Sequence, residues 1–148
     1  PEVDETAVNE MAAKQFGPLE RVGGFESRWV DQLLQNTMTP YYVYQIKKED
    51  RLLAALTQVE FYRDVMVPKI KANDYHELKM AHETKNMVFI AEVQLRSCLM
   101  RNESRGRHFR EDYPEQNPDW LKWIRVFDDN GKMALDTVDV PEEWKTQT

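Results

Sequence analysis

Apolar positions recur at helical spacing along most of this chain, most continuously over residues 75–102. Leu78, Ala81, Val88, Leu95 and Leu99 form one stripe there, which predicts a long helix. Its centre is apolar around most of its circumference, through Met87, Val88, Phe89, Ile90, Ala91 and Val93. A helix of a three-helix bundle buries one face. A segment apolar on two faces calls for a second partner: the amino-terminal arm, the carboxy-terminal tail, another copy, or a domain outside this chain.

Two further helical patterns precede it. Leu52, Leu56, Val59, Met66 and Ile70 share a seam over 49–70, flanked by Leu53 and Tyr62, and Pro68 makes the last turn irregular. Asn73 or Asp74 is placed to cap the helix that follows. Val30, Leu33, Leu34, Met38, Tyr41, Tyr42 and Val43 recur over 26–46. Pro40 breaks or kinks that run, with Thr39 as N-cap of a helix restarting at the proline. Residues 1–24 read as an arm. A short helix there is capped by Asp4 or Thr6 and ended by Gly17, Pro18, Gly23 and Gly24. Toward the other end, Trp120, Trp123, Ile124, Val126 and Phe127 suggest a strand. Asn130–Gly131 is a strong two-residue hairpin signal, residues 132–140 return, and Pro141 ends the pair. The pattern predicts a mainly α fold. An arm (1–24) leads into a three-helix up-down-up bundle (25–103), and a tail (104–148) holds a charged loop and a short β-hairpin.

Composition agrees. The 148 residues suffice for one core, and 41% hydrophobic with 31% charged residues describe a folded, water-compatible chain. Five glycines against seven methionines and four tryptophans favour packed helices over a turn-rich sandwich. The formal charge of −6 argues against nucleic acid as a partner. No apolar run approaches the roughly 18 residues of a membrane span, so direct membrane insertion is not expected. The acidic start lacks a signal-peptide pattern. Beginning at Pro1 rather than methionine is expected of a processed product or a piece of a longer protein. Cys98, the single cysteine, fits a reducing compartment and reads as a buried structural thiol.

The chemistry concentrates in one place. The sequence holds no glycine-rich phosphate loop, no H-E-x-x-H and no C-x-x-C. His76 and His82 are six residues apart, off the i, i+4 spacing of a helical metal pair. No metal site is expected, and His82 with Glu83 reads as a solvated face. The stretch after the long helix sets Arg101, Arg105, Arg107 and Arg110 against Glu103, Glu111, Asp112, Glu115 and Asp119. Guanidinium–carboxylate forks are directional, so alternating signs can pin a loop at several points. Gly106 supplies a turn or a close backbone approach, and Pro114 and Pro118 restrict the backbone before them. On chemistry alone an internal lock, a docking surface and a solvated loop all stay open.

The run "ESRGRHFREDYP" (103–114) resembles the E-S-R-G-x-H-x-R-x-D-Y-P signature of succinate dehydrogenase and fumarate reductase flavoprotein subunits. The alpha subunit of adenylylsulfate reductase and L-aspartate oxidase are relatives in the same superfamily. The helix running into the signature and the "NPDWLKW" that follows extend the likeness to about residues 26–127. The resemblance implies a carboxy-terminal helical domain, spectrin-repeat-like, of an FAD-dependent oxidoreductase. The parent would transfer hydride between FAD and a small substrate, a dicarboxylate by analogy. It also implies the flavin-binding and capping domains as partners. Further candidates are a homo-oligomer and an iron–sulfur subunit, in a cytoplasmic location peripheral to the membrane through partner subunits. No catalytic residue carries over, and no cofactor is expected in this segment alone. Glu103, Ser104, Arg105, Gly106, His108, Arg110, Asp112, Tyr113 and Pro114 carry over as a structural docking signature only. Arg107 departs from the small or apolar residue common there. Two other readings remain: a free-standing helical adapter for protein partners, and a small enzyme using His108 with Asp112 or Glu111 as a base.

Overall fold

The computed structural model describes residues 4–145. In chain order these form α1 (Glu5–Glu20), β1 (Phe25–Glu26), α2 (Ser27–Met38), α3 (Tyr41–Tyr44), β2 (Ile46–Lys47) and α4 (Glu49–Phe61). There follow β3 (Ile70–Lys71), α5 (Tyr75–Met100), β4 (Phe109–Arg110), β5 (Lys122–Asp129), β6 (Lys132–Asp139) and α6 (Glu142–Lys145). The fold is mainly α with one antiparallel hairpin near the carboxy end, as the hydrophobic pattern predicts. Cα packing divides the chain into two compact units, Pro1–Thr37 with Gln58–Ile90, and Met38–Thr57 with Ala91–Thr148.

In the first unit, Asp4 caps α1, its Oδ1 accepting from the N–H groups of Thr6 (2.9 Å) and Ala7 (3.3 Å). The helix does not stop at Gly17–Pro18 as the sequence suggests; it runs on to Glu20 with Pro18 inside. Proline removes one intrahelical hydrogen bond, and tertiary bonds offset the loss. Pro18 is buried, its carbonyl accepts from Ala72 N–H at 2.8 Å, and Arg21 donates to the Ile70 carbonyl. Beyond α1, β1 pairs in parallel with β3 through Phe25↔Ile70. Gly24 makes that approach attainable: its φ is +126°, and a Cβ there would stand 2.1 Å from the Lys69 carbonyl oxygen.

Val30 and Leu34 of α2, Val59 of α4, and Leu78, Ala81 and Val88 of α5 are buried in this unit, with Tyr62, Met66 and Ile70. Each fully buried aliphatic side chain contributes roughly 1.5–3 kcal/mol. Thr37 Oγ1 donates to Gln58 Oε1 at 2.8 Å and lies 3.0 Å from the Tyr62 hydroxyl, so the polar groups among these apolar ones are paired. After Phe61 the helix widens into a π turn (Tyr62–Met66) and tightens into a 3₁₀ turn (Val67–Lys69). Pro68 has no N–H for the carbonyl four residues back, which accounts for the irregular end.

In the second unit, α2 has given way at Met38 and α3 starts after Pro40. The break falls where proline predicts it, with the cap one residue later. Pro40 itself is the extended cap (φ −54°, ψ 136°), with no side-chain cap bond, instead of Thr39. Val43, Leu52, Ala55, Leu56, Ala91 and Leu95 are buried. A short parallel pairing the periodicity does not announce joins β2 to β4, Ile46↔Phe109 and Lys47↔Arg110. The hairpin β5–β6 turns through Asn130 (φ 53°) and Gly131 (φ 82°), both left-handed as a two-residue turn of this hand requires.

Candidate functional site

Helix α5 ends at Met100, and the charged loop folds straight back on its last carbonyls. Arg110 is 1% exposed although it carries a full charge. Its Nη1 donates to the Cys98 carbonyl at 2.7 Å and the Leu99 carbonyl at 3.3 Å, while Nε and Nη2 each donate to Asp112 at 2.7 Å. A cation belongs at this end of a helix, where unsatisfied carbonyls concentrate partial negative charge. Asp112 Oδ2 in turn accepts from Glu49 N–H at 3.0 Å, the first residue of α4. One ion pair thus closes the negative end of one helix and the positive end of another. The fork to Arg110 pulls the Asp112 carboxyl down to about 2, against a smaller upward push from burial and with help from Glu49 N–H. The same fork raises Arg110.

Glu103 is a second buried charge, 0% exposed. Its carboxylate accepts from Arg101 Nη1 (2.6 Å), Arg105 Nε (3.0 Å), Arg105 Nη2 (3.1 Å) and Asn117 N–H (2.9 Å). Burial pushes this carboxyl up, and the donors from Arg105, Asn117 and Arg101 together outweigh it, leaving Glu103 below the usual carboxylate range. Arg101 reaches further, donating to the carbonyls of Trp120 (3.0 Å) and Lys122 (2.7 Å) while lying over the Trp120 ring. Glu103 and Arg101 therefore tie the end of α5 to the start of β5. Ser104 completes the lock: its Oγ accepts from Arg110 N–H and donates to the Tyr113 carbonyl, both at 2.8 Å.

His108 follows the Gly106–Arg107 turn that Arg105 and His108 close with paired backbone bonds of 2.8 and 2.9 Å. Its Nε2 lies 3.1 Å from the Arg101 carbonyl. Burial, then the nearby charges of Lys47, Arg101 and Arg110, lower its pKa, and the bond to Arg101 opposes them. The structure does not bring His108 and Asp112 together as a catalytic pair, since each is engaged elsewhere. Glu111 pairs with Arg51 at 2.9 Å. Cys98 is half-buried rather than buried, and burial pushes its thiol up. His82, read from sequence as solvated, bonds through Nε2 to the Gln15 carbonyl at 2.9 Å. Among the described residues, no group of three or more His, Cys, Asp or Glu is placed to hold a metal ion.

Of the signature residues, Glu103, Ser104 and Arg110 are buried, Arg105, His108 and Asp112 half-buried, and Gly106, Tyr113 and Pro114 exposed. The buried members do the internal locking, and the exposed ones face outward with Arg107 and Phe109. Glu49, Lys47 and Asn117 are members that sequence reasoning missed. They contribute backbone or buried-amine contacts, which leave no trace in residue type.

Residues 31–147 match the family described as fumarate reductase flavoprotein C-term. An uncharacterized FAD-dependent oxidoreductase of Methanocaldococcus jannaschii is 41% identical over 80 residues, 53% of this chain and 14% of the relative. An L-aspartate oxidase of a Nostoc species is 50% identical over 44 residues, 30% of this chain and 8% of that one. The solved Mycobacterium smegmatis Sdh1 complex in the apo form superposes with a TM-score of 0.77 at 25% identity, covering 93% of this chain and 24% of that one. The chain thus spans about a quarter or less of the length of the relatives it matches. A helical fold ending in a charge-locked signature and a hairpin, matched over 31–147, places this chain in the fumarate reductase/succinate dehydrogenase flavoprotein C-terminal domain family.

Proposed function

We propose that these residues serve as the carboxy-terminal domain of an FAD-dependent oxidoreductase that transfers hydride between FAD and a small dicarboxylate. The family match over 31–147 carries this reading. The sequence has no glycine-rich dinucleotide loop, and no step of the reaction is assigned to these residues. Their contribution is structural: stabilising the flavin-binding and capping domains and shaping subunit contacts, with an iron–sulfur subunit or a second copy as further partners.

Two features support that role. Met87 and Ile90 of α5 are 40 and 58% exposed, apolar side chains of the kind that pack against protein. The internal lock holds the signature loop in one conformation, so its exposed members Arg107, Tyr113 and Pro114 form a preset docking surface. The protein works in the cytoplasm, at the membrane only through partner subunits. Among the described residues no helix is long and apolar enough to cross a bilayer.

Immunopurification from the source organism tests the reading. A yellow polypeptide several times larger than 17.6 kDa, with a flavin absorbance band, is expected. A colourless native protein near 17.6 kDa would overturn it in favour of a helical adapter.

A further inference from the structure

Within the first unit, α1, the turns after α4, and α5 enclose an open cleft of about 380 Å³. Its floor is apolar: Pro18, Val67, Pro68, Ile70, Val88 and Phe89. Its rim is basic, with Lys14, Arg21 and Lys85, and no carboxylate lines it. On a chain of charge −6 this is a local inversion of sign. Arg63, also at the rim, is forked onto Asp64 at 2.7 and 2.8 Å. Arg21 differs: the partner seen is the Ile70 carbonyl, a neutral acceptor that orients the guanidinium without cancelling its charge.

We infer that this cleft binds a small amphiphilic carboxylate, an alkyl or aryl chain headed by one carboxylate group. The apolar body lies on the floor, where burial of hydrocarbon drives binding. The carboxylate sits at the rim against Lys14, Arg21 and Lys85, charge against charge. The volume is that of a small-ligand site. A bare phosphate or nucleotide would leave the apolar floor unused.

The probe is octanoate, titrated calorimetrically into the full chain, with octanol and octylammonium as matched controls. Saturable binding of octanoate at one site, with at least about tenfold weaker binding of both controls, is expected for a cleft that reads charge and chain together. Lys14→Glu and Lys85→Glu alter exposed side chains. Together they are expected to weaken octanoate about tenfold or more. Equal binding of octanoate and octanol, affinity unchanged in the double variant, or no saturable binding would each overturn the proposal.

Discussion

Arg110 and Asp112 form a two-bond fork, both distances 2.7 Å, whose outer ends hold the carboxy terminus of α5 and the amino terminus of α4. The cation meets free carbonyls and the anion meets a free N–H, so each charge is matched to the helix end it faces. Both charges are largely out of water and depend on one another.

Breaking the pair from one side leaves the other charge without its partner. Arg110→Ala is expected to cost about 3–5 kcal/mol, measured by urea unfolding. Arg110→Lys keeps the charge but cannot make the fork and should recover only part of the loss. A loss below about 1 kcal/mol for the alanine variant would show the fork to be dispensable.

Acid should undo the same lock. The folded Asp112 carboxyl titrates at about 2, below its unfolded value. A depressed carboxyl stabilises the fold fully above the unfolded pKa, and this is lost as pH falls through the folded one. Between about pH 4 and pH 2 the Asp112 contribution, about 2 kcal/mol, should disappear. Glu103 is lowered as well and acts in the same direction. Asp112→Asn should therefore be less stable at pH 7 and lose less on acidification. Parallel pH profiles for the two proteins would contradict the assignment.

His108 also titrates on the acid side of neutrality, below the ordinary imidazole value of 6.5. Its folded pKa is lowered, so the native state favours the neutral ring. Above the unfolded value of about 6.5 this has no effect on stability. As pH drops below it the unfolded chain takes up the proton first, and stability falls. Proton NMR should show the His108 ring of the folded protein still neutral at a pH where the same ring is already charged in the urea-unfolded chain. Identical titration of His108 in the folded and unfolded states would refute the prediction. His108→Ala should lower stability, consistent with a ring that contacts the Arg101 carbonyl.

Gly24→Ala should destabilise by about 1–3 kcal/mol, since φ +126° and a Cβ 2.1 Å from backbone oxygen admit no local relief. Gly23→Ala, also at positive φ but with open space around its Cβ, separates strain from collision and should cost less. Equal melting-temperature shifts for the two variants would remove the steric argument.

Features that repeat locally needed nothing beyond the order of residues. The helices of the bundle, the irregular end at Pro68, the break at Pro40 and the Asn130–Gly131 turn were all legible, because backbone periodicity and proline or glycine stereochemistry act within a few residues. The charged stretch was legible as a place, and its signature as a family resemblance. Tertiary structure decided which charges meet. Each of the four arginines between 101 and 110 has several carboxylates in reach by sequence, and only the fold selects Glu103 for Arg101 and Arg105, and Asp112 for Arg110. It also decided that α1 continues through Pro18. A proline's missing bond is tolerated where Ala72 N–H and Arg21 find carbonyls nearby, and those partners come from a distant segment. The same holds for the short β pairings: two residues carry no periodicity, so their strands exist only once their partners are beside them.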